Sequence, residues 1–297
     1  MNISEMKAVL KKCIWISVVI ATVNSGYAQY GLDVGIIAGG ANYLGEFGGK
    51  AGERRDFIAD MKMSQTRWAV GAFGRYKLTN NLAVNAGYKW IRIQGADNLS
   101  DNPSRVGRNL DFKNNIHELE ARGEYYWYKV NDVGRRGWYR MDFQTYIFAG
   151  IAGFMHNPQA IDGTKLMPLQ TEGVKYGKFQ VALPIGAGLF YTYKKIHRFG
   201  LDFGLRFTWT DYLDDASTIY VDHNSPYANR YQDGLSTVDP SQYQPGSPRG
   251  NPKKDDFYTY TAFYYSRVMK TKNSFYRQKY NYVYGGKRKR RRTRAKF

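Results

Sequence analysis

Between Phe199 and Trp209 every second residue is large and apolar. Phe199, Leu201, Phe203, Leu205, Phe207 and Trp209 alternate with Gly200, Asp202, Gly204, Arg206 and Thr208. At about 3.6 residues per turn a helix would scatter the first set around its whole circumference, whereas a strand sends alternate residues to opposite faces. The pattern demands a strand with one apolar face and one small or polar face. Such a strand exceeds the roughly 5–6 residues common in soluble sheets and suits the roughly 9–11 that cross a bilayer at a tilt.

Seven further segments repeat the pattern. In 31–39, Leu32, Val34, Ile36 and Ala38 oppose Asp33, Gly35 and Gly39, and in 67–76, Trp68, Val70 and Ala72 oppose Arg67, Gly71 and Arg75. In 118–127, Leu119, Ala121, Gly123, Tyr125 and Trp127 alternate with Glu118, Glu120, Arg122 and Glu124. Segments 82–90, 143–151 and 179–189 behave alike, while 257–268 is aromatic on both faces and its orientation stays open. The links at 77–81, 129–141 and 194–198 are short or compact, and those after the first, third, fifth and seventh segments are long, the longest at 211–256. Short turns at one end and long loops at the other are the asymmetry of outer-membrane barrels. The expected fold is all-β: an eight-stranded antiparallel transmembrane β-barrel of outer-membrane type with a mostly disordered basic C-terminal tail. An even strand number puts both barrel ends on the short-turn, periplasmic side. Aromatic girdles are expected from Tyr76, Tyr125, Tyr126, Trp127, Tyr128, Tyr191, Tyr193 and Phe199 at the short-turn end. Trp68, Trp90 and Trp209 would form the second girdle at the long-loop end.

The N-terminus agrees with export. Lys7, Lys11 and Lys12 precede the apolar run from Cys13 to Ala21, and Gly26-Tyr27-Ala28 places small residues before a cut ahead of Gln29. That is a secretory signal peptide over 1–28, leaving a barrel over 29–268 and a tail over 269–297. Cleavage removes Cys13, the one cysteine, so no disulfide is expected. Cys13 follows two lysines where a lipoprotein signal needs small residues, which argues against a lipid anchor. The formal net charge of +19 is concentrated in the tail, which holds twelve Lys and Arg and no acidic residue. Lys287, Arg288, Lys289, Arg290, Arg291, Arg292 and Arg294 have the composition of a nucleic-acid patch. Export removes nucleic acid as a partner and leaves lipid phosphates, cell-wall carboxylates and acidic protein faces. Phe275, Tyr276, Tyr280, Tyr282 and Tyr284 add aromatic anchors suited to a protein partner.

An eight-stranded interior is just wide enough for side chains to fill. Inward Glu118, Glu120, Glu124 and Asp202 would meet Arg75, Lys89, Arg122 and Arg206 in a structural plug, since unpaired charges in a dry lumen are costly. No catalytic, cofactor or metal site is expected. His117 falls on the lipid face, His197 in a short turn, and His156 and His223 in outer loops, with no serine placed by motif as a nucleophile. Asp211, Asp214, Asp215 and Asp222 lack the spacing of a calcium loop and suit turns better.

The stretches Arg108-Asn109-Leu110-Asp111-Phe112, Ile116-His117-Glu118-Leu119, Phe148-Ala149-Gly150-Ile151 and 180–188 occur here in order, followed by 210–222 (TDYLDDASTIYVD). Together they resemble the PorG-like outer-membrane β-barrels of the Bacteroidetes type IX secretion system. The resemblance covers most of the barrel and not the tail. It implies a non-enzymatic component of a protein-export machine, embedded in outer-membrane lipid and associated with a periplasmic ring of PorK- and PorN-like proteins. The alternative is a surface adhesin or ligand-binding barrel that uses its long extracellular loops.

Overall fold

The computed structural model describes residues 32–45, 63–79, 81–99, 110–131, 142–194, 196–221, 244–252 and 255–269. The signal sequence over 1–28, His223, Asp222 and the tail beyond Met269 lie outside them. Eight long strands follow one another: β1 (Leu32–Leu44), β2 (Arg67–Lys77), β3 (Leu82–Ala96), β4 (Asp111–Asn131), β5 (Asp142–Met155), β6 (Phe179–Tyr193), β7 (His197–Thr208) and β8 (Phe257–Met269). Each pairs antiparallel with the next, and β8 pairs with β1, so the sheet closes on itself. A two-residue strand, Pro158–Gln159, adds to the top of β4.

The registers fix the shape of the closed sheet. The row from Leu32 runs through Tyr76, Val84, Gly123, Ala149, Ile185, Leu205 and Thr259 and returns to β1 at Asn42, ten residues from its start. With strands about 4.8 Å apart and about 3.3 Å per residue, that stagger corresponds to a tilt of roughly 40°. The three turns β2–β3, β4–β5 and β6–β7 and both barrel ends lie at one rim, where Leu32 pairs with Met269. The loops β1–β2, β3–β4, β5–β6 and β7–β8 lie at the other.

The outer surface is apolar: Val34, Ile36, Leu119, Ile147, Ile151, Leu183, Ile185, Leu189 and Phe263 are all exposed. Their strand neighbours are buried or half-buried, as period-two alternation requires. A closed sheet leaves no backbone group unmet in hydrocarbon, so this is a barrel of the outer-membrane type.

Three expectations are corrected, and one orientation left open by the sequence is assigned. Strand β4 begins at Asp111 and not near Glu118, because Phe112, Asn114 and Ile116 continue its inward face above the membrane rows. Tyr126 leaves the girdle and points inward, donating to Glu124, while a bulge between Tyr126 and Tyr128 lets Trp127 and Tyr128 both face out. His197 opens β7 instead of lying in the turn, its ring meeting the Tyr265 hydroxyl at 2.8 Å. Strand β8 orients with Tyr258, Tyr260 and Tyr264 inward and Phe257, Phe263 and Tyr265 outward. The hydroxyls decide it, since the inward set reaches lumen carboxylates and an arginine.

Inward glycines make room for the rings. A Cβ at Gly186 would lie 2.1 Å from the Phe203 carbonyl oxygen and 2.5 Å from the Phe148 ring, whereas one at outward Gly74 would meet nothing within 4 Å. Gly186→Ala should therefore abolish the folded, heat-sensitive gel mobility of the barrel, and Gly74→Ala should retain it.

Candidate functional site

Inward side chains stack a continuous column of charge through the lumen. At the short-turn end Asp33 accepts from Arg198 Nη1 at 2.6 Å and Ser266 Oγ at 2.8 Å, with Arg75 Nη1 at 3.4 Å. Lys77 Nζ donates to Gln144 at 2.6 Å. One level up, Glu124 lies 2.7 Å from Arg75 Nε and 3.0 Å from Arg122 Nη2, and it accepts from Asn85 and Tyr126. In the middle Asp202 accepts from Arg122 at 2.7 Å, Tyr260 at 2.5 Å and Tyr146 at 2.8 Å. Above, Lys89 and Arg206 sit between Glu118 and Glu120: Lys89 is 2.7 Å from Glu120, Arg206 is 3.2 Å from Glu118 and also bonds Glu120. Tyr258 donates to Glu118 at 2.6 Å. Guanidinium faces lie on rings, Arg122 4.0 Å from the Phe148 centroid and Arg206 4.1 Å from that of Tyr260.

Strand alternation alone delivers these groups. Glu118, Glu120, Arg122 and Glu124 are successive inward residues of β4, and Asp202 and Arg206 come from β7 across the barrel. All six are essentially inaccessible to solvent. Taking such charges out of water costs several kcal/mol each, so the column holds only because acids and bases alternate and phenols fill the remaining acceptors. A lumen so filled is not a diffusion path.

A second network caps the long-loop mouth. Arg249 Nη1 lies 2.9 Å from Glu172, whose carboxylate also accepts from the amides of Ser217 and Thr218. Asp215 accepts from Thr171 and Tyr176, each at 2.6 Å. The Tyr43 hydroxyl lies 2.6 Å from both Asp214 and Asp256, and Asn114 donates to the Leu213 carbonyl at 2.8 Å. Asp214 and Asp215 are thus engaged in loop ties. Among the described residues no cluster of His, Cys, Asp or Glu is disposed to hold a metal ion. Tyr176 stacks between His156 and Tyr212, and burial beside Asp215 raises its phenol well above the ordinary range.

His156 is locked as a neutral ring. Nε2 donates to the Gly177 carbonyl at 3.2 Å, and Nδ1 faces the Asn114 amide nitrogen at 3.4 Å. Burial pulls its pKa down from 6.5 to about 4, with the Gly177 bond opposing the shift. His117 lies on the outer wall, 2.7 Å from the Tyr88 hydroxyl. Lys287, Arg288, Lys289, Arg290, Arg291, Arg292 and Arg294 lie outside the described residues.

The cap was hidden in the sequence. Glu172 and Arg249 meet from loops 77 residues apart, and no local pattern couples them. Asp33 and Tyr146 carried a usable signal, the inward parity of their strands, whereas the faces of Tyr258 and Tyr260 were open until their hydroxyl partners were seen.

A sealed, charge-filled barrel with an apolar wall defines a membrane protein of the small outer-membrane β-barrel class. The chain belongs to the DUF6089 family, a domain of unknown function whose profile matches residues 11–232. No curated protein sequence matches it. Among solved structures it is similar to Neisserial surface protein A, at 10% identity over 80% of this chain and 97% of that one, with a TM-score of 0.39. It is similar also to Ail, the attachment invasion locus protein of Yersinia pestis, here in complex with sucrose octasulfate (10%, 80% and 97%, TM-score 0.36). OprG from Pseudomonas aeruginosa matches at 10% identity over 82% and 98%, with a TM-score of 0.33.

Two outcomes follow from the networks. Arg122→Met leaves Asp202 and Glu124 short of a cation and should cost about 3–5 kcal/mol in denaturant unfolding from detergent; pairing it with Asp202→Asn should recover part of the loss. For His156 the folded pKa is depressed, so the opened cap binds the proton more readily. Cap stability is then full above about pH 6.5 and falls as pH drops toward about 4. Protection factors for hydrogen exchange over 209–221, taken relative to the intrinsic rate at each pH, should fall across that window in the wild type and stay flat in His156→Gln.

Proposed function

We propose that the barrel resides in the outer membrane with its long loops outward and, without chemistry of its own, anchors periplasmic parts of a type IX secretion machine. The observation that carries the reading is the Leu32–Met269 pairing at the short-turn rim. The tail leaves from that rim, beneath a lumen that is filled and offers no path of its own. A protein of this build acts at its ends. The signal sequence and the PorG-like stretches support the periplasmic placement, and the cations of the tail with its tyrosines suit an acidic protein face.

Removing residues 270–297 should leave membrane insertion and gel mobility intact and reduce co-purification of the PorK- and PorN-like ring proteins at least tenfold. If the truncated chain captures the ring as well as the full chain does, the tail is not the anchor. The loop cap, ordered by Arg249 and Glu172, then becomes the better interaction surface, as in a surface binder.

A further inference from the structure

Two groups stand out among the cations of this barrel. Those of the lumen lie against carboxylates, apart from Lys77 on its amide. Three others, at the long-loop rim of β2–β4, are held only by neutral groups among the described residues. Arg92 donates from Nε to Asn115 at 2.8 Å and lies 5.5 Å over the Trp68 ring. Lys113 donates to the Ile161 carbonyl at 2.9 Å, and Arg67 to Gln94 at 2.6 Å and to two backbone carbonyls. The one acidic residue on the outward face of β3 and β4, Asp111, already accepts from the Ile161 amide at 2.8 Å.

Their level on the wall is set by register. Val70, Trp90, His117, Met155 and Phe179 form one outward row, all exposed, and it is the last predominantly apolar row on this side. The next outward pairs are Arg92–Asn115 and Gln94–Lys113. Beneath them Trp68 packs edge-on against Trp90 at 4.3 Å, and Trp90 stacks on His117 at 5.9 Å. On the opposite wall the outward residues of β7 and β8 near the same rim are Phe203, Leu205, Phe207, Phe257, Thr259 and Thr261, with no cation.

We propose that this wall binds the phosphate of a lipid headgroup in the leaflet at the long-loop end, with Arg92 and Lys113 as its ligands and Arg67 reinforcing them from the rim. A guanidinium fixed by an aromatic face and a neutral acceptor keeps its whole charge and most of its donors for an anion. Trp68 and Trp90 lie where the headgroup meets the acyl chains, the depth at which amphipathic rings settle. A membrane-facing wall sees lipid before it sees any dissolved anion, which selects the lipid over free phosphate.

The proposal rests on the chain being a membrane barrel and not on the tail, so removal of 270–297 leaves it unchanged and the two readings fail separately. The full chain in nonionic detergent is titrated by native mass spectrometry with bis-phosphorylated lipid A and with the same lipid stripped of phosphate. The phosphorylated form should bind at least tenfold more tightly. The Arg92→Gln/Lys113→Gln double variant should lose that preference while retaining folded mobility. Equal binding of the stripped lipid by the wild type overturns the proposal and needs no variant. An undiminished preference in the folded double variant overturns it too, as does displacement of the lipid by excess inorganic phosphate.

Discussion

The pairing of β8 with β1 is the constraint on which everything else depends. An open edge in hydrocarbon would leave a row of amides and carbonyls unmet, at several kcal/mol each. Thirteen paired positions between Leu32–Leu44 and Phe257–Met269 remove that edge. Closure with eight strands and a ten-residue stagger then sets tilt and width together. It also brings the two barrel ends to one rim, so the placement of the tail's origin follows from the same hydrogen bonds that make the wall.

Width dictates the interior. An eight-stranded lumen leaves room for side chains and little else, and this chain fills it with charges in place of an apolar core. The arrangement is tolerable because every carboxylate in the column has a cation within reach and phenols from β5 and β8 occupy further acceptors. Glycines make room for several of these rings. A Cβ at Gly188 would lie 2.4 Å from the Tyr146 ring, and one at Gly204 2.7 Å from Tyr260. Buried pairs of this kind add less to stability than a well-packed apolar set would, but they punish the wrong register severely. A one-residue slip of β4 would turn Glu118, Glu120, Arg122 and Glu124 into lipid.

That penalty is why so much of the barrel was legible from alternation. The inward acids of β4 and the inward Arg206 and Asp202 of β7 stand out because a lipid-facing strand cannot place them elsewhere. Legibility fails where the period-two rule is relaxed. The bulge at Tyr126 and Tyr128 shifts the girdle by one residue, and nothing in the run Tyr125-Tyr126-Trp127-Tyr128 marks which ring turns inward. The acceptor on Glu124 decides, two residues away on the same face. In β8 the tyrosines alternate with other aromatics and threonines, so hydropathy is mute and the partner's hydroxyl chemistry assigns the face. The cap was beyond reach for a different reason: its ties join loops distant in sequence, and turns rich in Asp read as solvent-facing until Arg249, Thr171 and Tyr43 are brought against them.

The two populations of cations show where such a protein can act. Inside, Arg75, Arg122 and Arg206 are spent on neighbouring carboxylates, and with the lumen packed they are inaccessible to any partner. Outside, Arg92 and Lys113 are oriented by a ring, an amide and a carbonyl, none of which cancels charge. Selection for stability alone would favour an acid beside them, since a half-buried cation with neutral partners gains less than a paired one. The wall instead offers positive charge at the depth of the phosphates in the leaflet at the long-loop end. A sealed barrel has three surfaces on which to work, its two rims and its wall, and here the wall, like the tail at the short-turn rim, carries cations without an acidic partner beside them.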